Sequence, residues 1–134
     1  MLLLDSEALS ALSHGPPSRR DRVRALIAEM RRQELPVATV ATVLAEVVRG
    51  RRQDAAVFGG LRRDRVEVRP VDARVGVRAG QLLGRAGAGS ELAVDAFTVA
   101  VAELAGGAIV ATTDVADLGR LADRSVGVVV ADIR

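Results

Sequence analysis

Apolar residues recur along this chain in two rhythms, short unbroken runs and stripes at helical spacing. Leu2-Leu3-Leu4 is a buried run that breaks at Asp5, and the pattern then turns helical through about Ser13, where Gly15-Pro16-Pro17 imposes a turn. In SRRDRVRALIAEMRRQEL, Val23, Leu26, Ile27 and Met30 follow the i, i+3, i+4, i+7 spacing of an amphipathic helix, with Ser18 as its N-cap and Pro36 as its stop. PVATV reads as a second strand, and Thr42 to Arg49 as a helix ended by Gly50. RRQDAAVFGGLRRD reads as a short helix and a loop, broken at Gly59-Gly60. VEVRPV alternates as a strand does, and DARVGVRAGQLLGRA lines up Val75, Ala79, Leu82 and Ala86 behind a cap at Asp72. After a link from Gly87 to Ser90 come an apolar helix to Leu104, the strand AIVATT, the short helix ADLGRLA and a last strand VGVVVA.

Strands alternating with helices, several of them continuous aliphatic runs, predict a three-layer α/β/α fold. The central sheet is expected to be parallel, with four to five strands, in one domain over residues 1–134. In open sheets of this kind function gathers beyond the carboxyl ends of the strands.

Composition narrows the chemistry. The chain is 49% hydrophobic with Phe58 and Phe97 its only aromatics, so the core is aliphatic and base stacking on aromatic platforms is nearly excluded. All 19 basic residues are arginine, and against 17 acids they leave a formal charge of +2, which permits a nucleic-acid partner without demanding one. The lack of cysteine removes thiolate nucleophiles, disulfides and cysteine-ligated zinc and fits a reducing compartment. With no basic leader and no apolar stretch long enough to span a bilayer, a cytoplasmic location with no membrane partner is expected. The lack of lysine removes Walker-type phosphate loops and Schiff-base catalysis. His14, the single histidine, precedes Gly15-Pro16-Pro17 and reads as a solvated residue at a helix end. Any catalysis must rest on carboxylates, hydroxyls and arginine.

Several acids stand where a plain solvated surface does not put them. Asp5 closes the run Leu2-Leu3-Leu4, and Asp114 follows Ile109-Val110-Ala111-Thr112-Thr113, so two acids follow apolar strands. Glu46 borders the apolar arc of Val43, Leu44, Val47 and Val48, about 60° outside Val43 at helical spacing. Asp95 is the only ionisable group in LAVDAFTVAVA, and Asp117 lies one helical turn beyond Asp114. Each also has a structural reading: Asp5 and Asp114 as helix caps, Glu46 as a flanking surface acid, Asp95 as a first-turn acid, Asp117 as a solvated one. Gathered at one sheet edge, they would repel, since unit charges 4 Å apart cost about 4 kcal/mol at an effective dielectric of 20. A divalent cation relieves that, and all-oxygen ligation suits Mg²⁺, or Mn²⁺, better than zinc. Ser6, Thr112 and Thr113 supply hydroxyls that can orient the carboxylates, and Arg49, Arg51 and Arg52 lie just beyond Glu46 as candidate phosphate contacts.

The ordered set LLLDS, TVLAEVVRG, VDAFTVAVAELAGG and IVATTDVADLGRL resembles the PIN-domain ribonucleases, in particular the VapC-like toxins of bacterial type II toxin–antitoxin modules. The resemblance matches Asp5, Glu46, Asp95 and Asp114 to that family's acidic quartet, Asp117 to its frequent additional acid, and Ser6 and Thr112 to its accompanying hydroxyls. It implies a Mg²⁺-dependent endoribonuclease acting on tRNA, rRNA or mRNA, held inactive by a cognate VapB-like antitoxin and assembled as a homodimer. Two other readings stand beside it: a metal-dependent nuclease for structured DNA, and a non-catalytic PIN-like binding module.

Overall fold

Leu2, Leu3 and Leu4 have no solvent contact, which an apolar strand achieves only at the centre of a sheet covered on both faces. The computed structural model describes residues 1–134. Its strands are β1 (Leu2–Leu4), β2 (Val37–Val40), β3 (Glu67–Arg69), β4 (Ala108–Thr112) and β5 (Val128–Asp132). Between them run α1 (Ser6–Ser13), α2 (Pro17–Arg32), α3 (Ala41–Val47), α4 (Asp54–Arg63), α5 (Ala73–Ala86), α6 (Ala93–Leu104) and α7 (Val115–Ala122), with one 3-10 turn over Ser90–Leu92. The five strands form one all-parallel sheet in the order β3-β2-β1-β4-β5, the three-layer α/β/α architecture expected from the sequence.

Helix α1 packs against α2, α3 and α4, while α5, α6 and α7 pack on one another as a second group. The apolar stripes supply these contacts. Val23, Ile27 and Met30 are buried on α2, and Val75, Ala79 and Leu82 on α5, whose Asp72 cap accepts the Val75 N–H at 2.9 Å. In α6 burial extends almost all round, over Ala96, Thr98, Val99, Ala100, Val101 and Ala102, which explains its uniformly apolar sequence. His14 is the exposed C-cap of α1. No helix is long and apolar enough to cross a membrane.

Two local expectations are corrected. Helix α2 begins at Pro17 with Pro16 as its N-cap, and Ser18 lies inside the first turn without a capping bond. Proline suits the first helical position because its fixed φ is already helical and its missing N–H would have had no partner there. Gly59-Gly60 does not break the chain; α4 runs through both. Each glycine costs the helix only about 1 kcal/mol relative to alanine, and burial of Val57 and Leu61 outweighs that.

Glycine is required where α6 turns into β4. Gly107 has φ +117°, and a Cβ there would lie 2.8 Å from the Gly127 carbonyl oxygen. Gly119, inside α7, has no such neighbour and no positive φ. Gly107→Ala is therefore expected to destabilise the protein by about 2 kcal/mol or more, whereas Gly119→Ala stabilises it by about 0.5–1 kcal/mol. Chemical denaturation of the two variants beside the parent checks the opposite signs.

Candidate active site

The register of the two central strands builds the site. Leu4 pairs with Ala111, so Asp5 and Thr112 leave the sheet at the same level. The Asp5 N–H donates to the Ala111 carbonyl at 3.3 Å, and the Thr39 hydroxyl donates to the Leu4 carbonyl at 2.8 Å, fixing the chain just before the acid. Asp5 then caps α1, its Oδ1 accepting the Ala8 N–H at 2.7 Å. Beside it the buried Thr112 hydroxyl accepts the Asp114 N–H at 2.8 Å, and Asp114 caps α7 by accepting the Asp117 N–H on Oδ1 at 3.1 Å. Both acids are caps, and both stand at the carboxyl edge of the sheet. The two readings open in the sequence are compatible, because each capping bond uses Oδ1 alone.

Asp5 is 5% exposed. Burial drives its pKa up from 3.8 to about 6, against the opposing hydrogen bonds of Thr112 and Ala8. Asp95, half-buried in the first turn of α6, is likewise raised to about 6. Burial is the largest cause, followed by the charges of Asp5, Glu46, Asp114 and Asp117. Four acids from three other regions of the chain therefore act on one carboxyl group, which places those four around Asp95. Glu46 is exposed on α3 and reaches the cluster from outside; Asp114 is exposed, while Asp117 and Ser6 are half-buried. As they stand, no three of these side chains are grouped so as to hold a metal ion. They make an acidic basin in which burial is the chief cost of ionising Asp5 and Asp95, and neighbouring negative charge adds to it at Asp95.

The donor chemistry fits a hard divalent cation. Every donor is a carboxylate or hydroxyl oxygen, and a cation among them would reverse the unfavourable ionisation of Asp5 and Asp95. Asp5, Asp95 and Asp114, with Glu46 and Asp117 around them, are the residues available to hold it.

The arginines beyond α3 are held by a residue that sequence reasoning passed over. Buried Asp54 accepts the Arg49 N–H on both oxygens, at 3.2 and 3.1 Å, and the Arg51 N–H at 3.0 Å. Burial would raise its pKa, but the N–H groups of Arg51, Arg49 and Gly50 outweigh that and hold the carboxyl below its usual range. The Arg49 guanidinium turns back onto α3, donating to the Ala45 and Val48 carbonyls at 2.8 and 2.9 Å. Arg51 and Arg52 remain exposed. The available signal was an acid three residues after Arg51, the spacing at which a side chain folds back on a turn.

A protein-family model described as the PIN domain matches residues 2–123, a span that includes every acid of the basin. No curated protein matches the chain.

Two outcomes follow from this geometry. A carboxyl that titrates at about 6 when folded and 3.8 when unfolded keeps its proton longer in the native state, so stability declines as pH rises through that window. Asp5→Asn retains an acceptor for the Ala8 N–H and removes the ionisation. Without divalent ions near neutral pH it should unfold at higher denaturant, by about 1–3 kcal/mol, and lose that advantage below the unfolded-state pKa. Asp54→Ala should leave the fold intact but free the loop, speeding tryptic cleavage after Arg49, Arg51 and Arg52 about tenfold. Peptide mapping over time reads this directly.

Proposed function

Because this chain belongs to the PIN domain family, whose members are typically metal-dependent nucleases, we propose that it is a Mg²⁺-dependent endoribonuclease and the VapC-like toxin of a type II toxin–antitoxin module. The observation that carries this reading is the convergence of Asp5, Glu46, Asp114 and Asp117 on Asp95. Proteins accept such repulsion where the site has a task for it. Caps and surface charges alone, as a purely binding module would use them, do not require four acids around one half-buried carboxyl.

Asp5, Asp95 and Asp114 take the principal ligand roles for Mg²⁺, or Mn²⁺, with Glu46 as a ligand or as the group that orients water. A bound divalent ion supplies Lewis acidity, which lowers the pKa of water and offsets charge developing on phosphodiester oxygens. The protein supplies position. The Ala8 N–H and the β1–β4 register fix Asp5, the Thr112 hydroxyl fixes the backbone at Asp114, and Ser6 lies next to Asp5 at the start of α1. Arg51 and Arg52 bind substrate phosphates, with Arg49 holding the end of α3 beneath them; arginine is the chain's only strong cation and its fork matches phosphate oxygens. RNA is the proposed substrate, and a VapB-like antitoxin restrains the homodimeric enzyme.

Incubating total cellular RNA with the protein tests this reading. Cleavage should require Mg²⁺ or Mn²⁺, stop with EDTA, and fall by about a hundredfold or more in Asp95→Asn, since loss of a ligand costs at least as much as loss of an outer-sphere partner. Equal cleavage by Asp95→Asn and the parent would overturn it. Preference for flapped DNA would move the substrate, and binding of RNA without cleavage would make the protein a binding module. Growth arrest on expression, relieved by a small antitoxin-like protein encoded upstream, tests the toxin role.

A further inference from the structure

Arginine stands on both flanks of the acids at the carboxyl edge of the sheet. Helix α3 leaves β2 and α4 returns the chain to β3, so the turn that carries Arg51 and Arg52 belongs to the β2–β3 half of that edge. The opposite flank is β5. Its last residue, Asp132, is level with Thr112, and the next N–H, that of Ile133, donates to the Thr112 carbonyl at 3.0 Å. The Ile133 side chain is fully buried. The chain is therefore anchored as far as Arg134, beside the segment of β4 that leads into Asp114.

Arg134 is exposed but held in place. Its Nε donates to both Asp132 oxygens at 3.0 Å, its Nη2 to Oδ2 at 2.7 Å and its backbone N–H to Oδ1 at 2.8 Å, a set of bonds that leaves Nη1 free. Those bonds, with the charge of Arg22 as the smallest contribution, hold the Asp132 carboxyl down at about 2. The pair is therefore fully ionised near neutral pH. The charges of Arg134 and Asp114 act on each other, which puts the guanidinium within electrostatic reach of the basin. Arg22 comes from α2, is exposed, and lines one hollow together with Asp132.

We propose that Arg134 and Arg22 bind phosphates on the β5 flank, so that one RNA strand crosses the carboxyl edge of the sheet from the Arg51–Arg52 turn, over the acids, to β5. This rests on the nuclease reading above and adds to it the course of the substrate. A basin of carboxylates repels a polyanion except where a cation screens it, so a strand lying over the acids needs attraction on each side of them. Arginine on one flank alone would hold the strand at one end and leave the other to swing away. Phosphate is the group this flank suits, because a guanidinium presents several donors in one plane, in a fork that matches phosphate oxygens. Asp132 sets the orientation of that fork in advance, and a side chain already ordered loses less freedom on binding than a loose one. Contacts of this kind position a strand without reading its bases.

Binding of a short single-stranded RNA to the full chain, followed by fluorescence anisotropy in Mg²⁺ over a range of salt concentrations, tests this. Asp95→Asn is carried throughout to silence cleavage. Arg134→Gln and Arg22→Gln should each raise Kd about threefold to tenfold. Each should also lower the slope of log Kd against log salt by about 0.7, the share of one phosphate contact on a single strand. Arg22→Gln changes only a helix surface, so it carries the test if loss of the Asp132 partner disturbs β5. Arg124→Gln, at the amino edge of the sheet between α7 and β5, should change neither quantity. Unaltered binding in both the Arg134 and Arg22 variants, beside weakened binding in Arg51→Gln, would overturn the proposal and leave the nuclease reading in place. An equal loss from Arg124→Gln would overturn it too, by showing attraction to overall charge. If the starting protein binds no RNA, both readings fall.

Discussion

The parallel pairing of β1 with β4 is the constraint on which the rest of this structure depends. It sets Leu4 level with Ala111, and so brings Asp5, Thr112 and Asp114 to one edge from positions more than a hundred residues apart in sequence. Two helices begin at that edge, and their free N–H groups fix the carboxylates through the capping bonds to Ala8 and Asp117. The helices that cover the sheet are thus also the devices that aim the acids. Asp95 enters from α6, whose burial leaves little freedom for a half-buried carboxyl in its first turn.

That arrangement spends stability. Burial and like charge hold the Asp5 and Asp95 carboxyls at about 6, so both ionise against resistance near neutral pH. The aliphatic core opposes this cost, with Leu2, Leu3, Leu4, Leu82, Leu118 and Leu121 all fully buried around the sheet. At the outer rim the same electrostatics act in the other direction. Asp54 gathers backbone N–H groups, is stabilised as a carboxylate, and keeps Arg51 and Arg52 on a fixed turn beyond Glu46. Negative charge is concentrated in the basin and positive charge lies on the turn that follows α3.

Much of this was legible in the chain. Continuous aliphatic runs identified β1 and β4 because a strand buried on both faces has no polar positions to interrupt it, and Asp72 announced α5 because capping is a local interaction. What could not be read depends on contacts distant in sequence. The glycines of α4 look like a break until Val57 and Leu61 find α1 to pack against. Ser18 resembles a cap, but Pro17 takes the first helical position. The exposure of Glu46 depends on how far α3 stands from α6, which no periodicity encodes, and the role of Asp54 depends on the path of a turn.

Asp5 raises a last question, since capping alone does not account for an aspartate there. Asparagine and serine cap helices about as well as aspartate, and neither would ionise inside a repelling cluster. Asp72 makes the same kind of bond, to the Val75 N–H at 2.9 Å, and is not among the charges that act on Asp95. At Asp72 the acid is only a cap, and its charge faces a helix N-terminus that welcomes it. At Asp5 the same favourable end of a helix is present, yet burial still carries the pKa upward. The net electrostatic cost of aspartate at this position is therefore unfavourable even with its best local partners included. A charge that its local partners do not make favourable accords with the proposed role, in which a cation held with Asp95 and Asp114 would offset it.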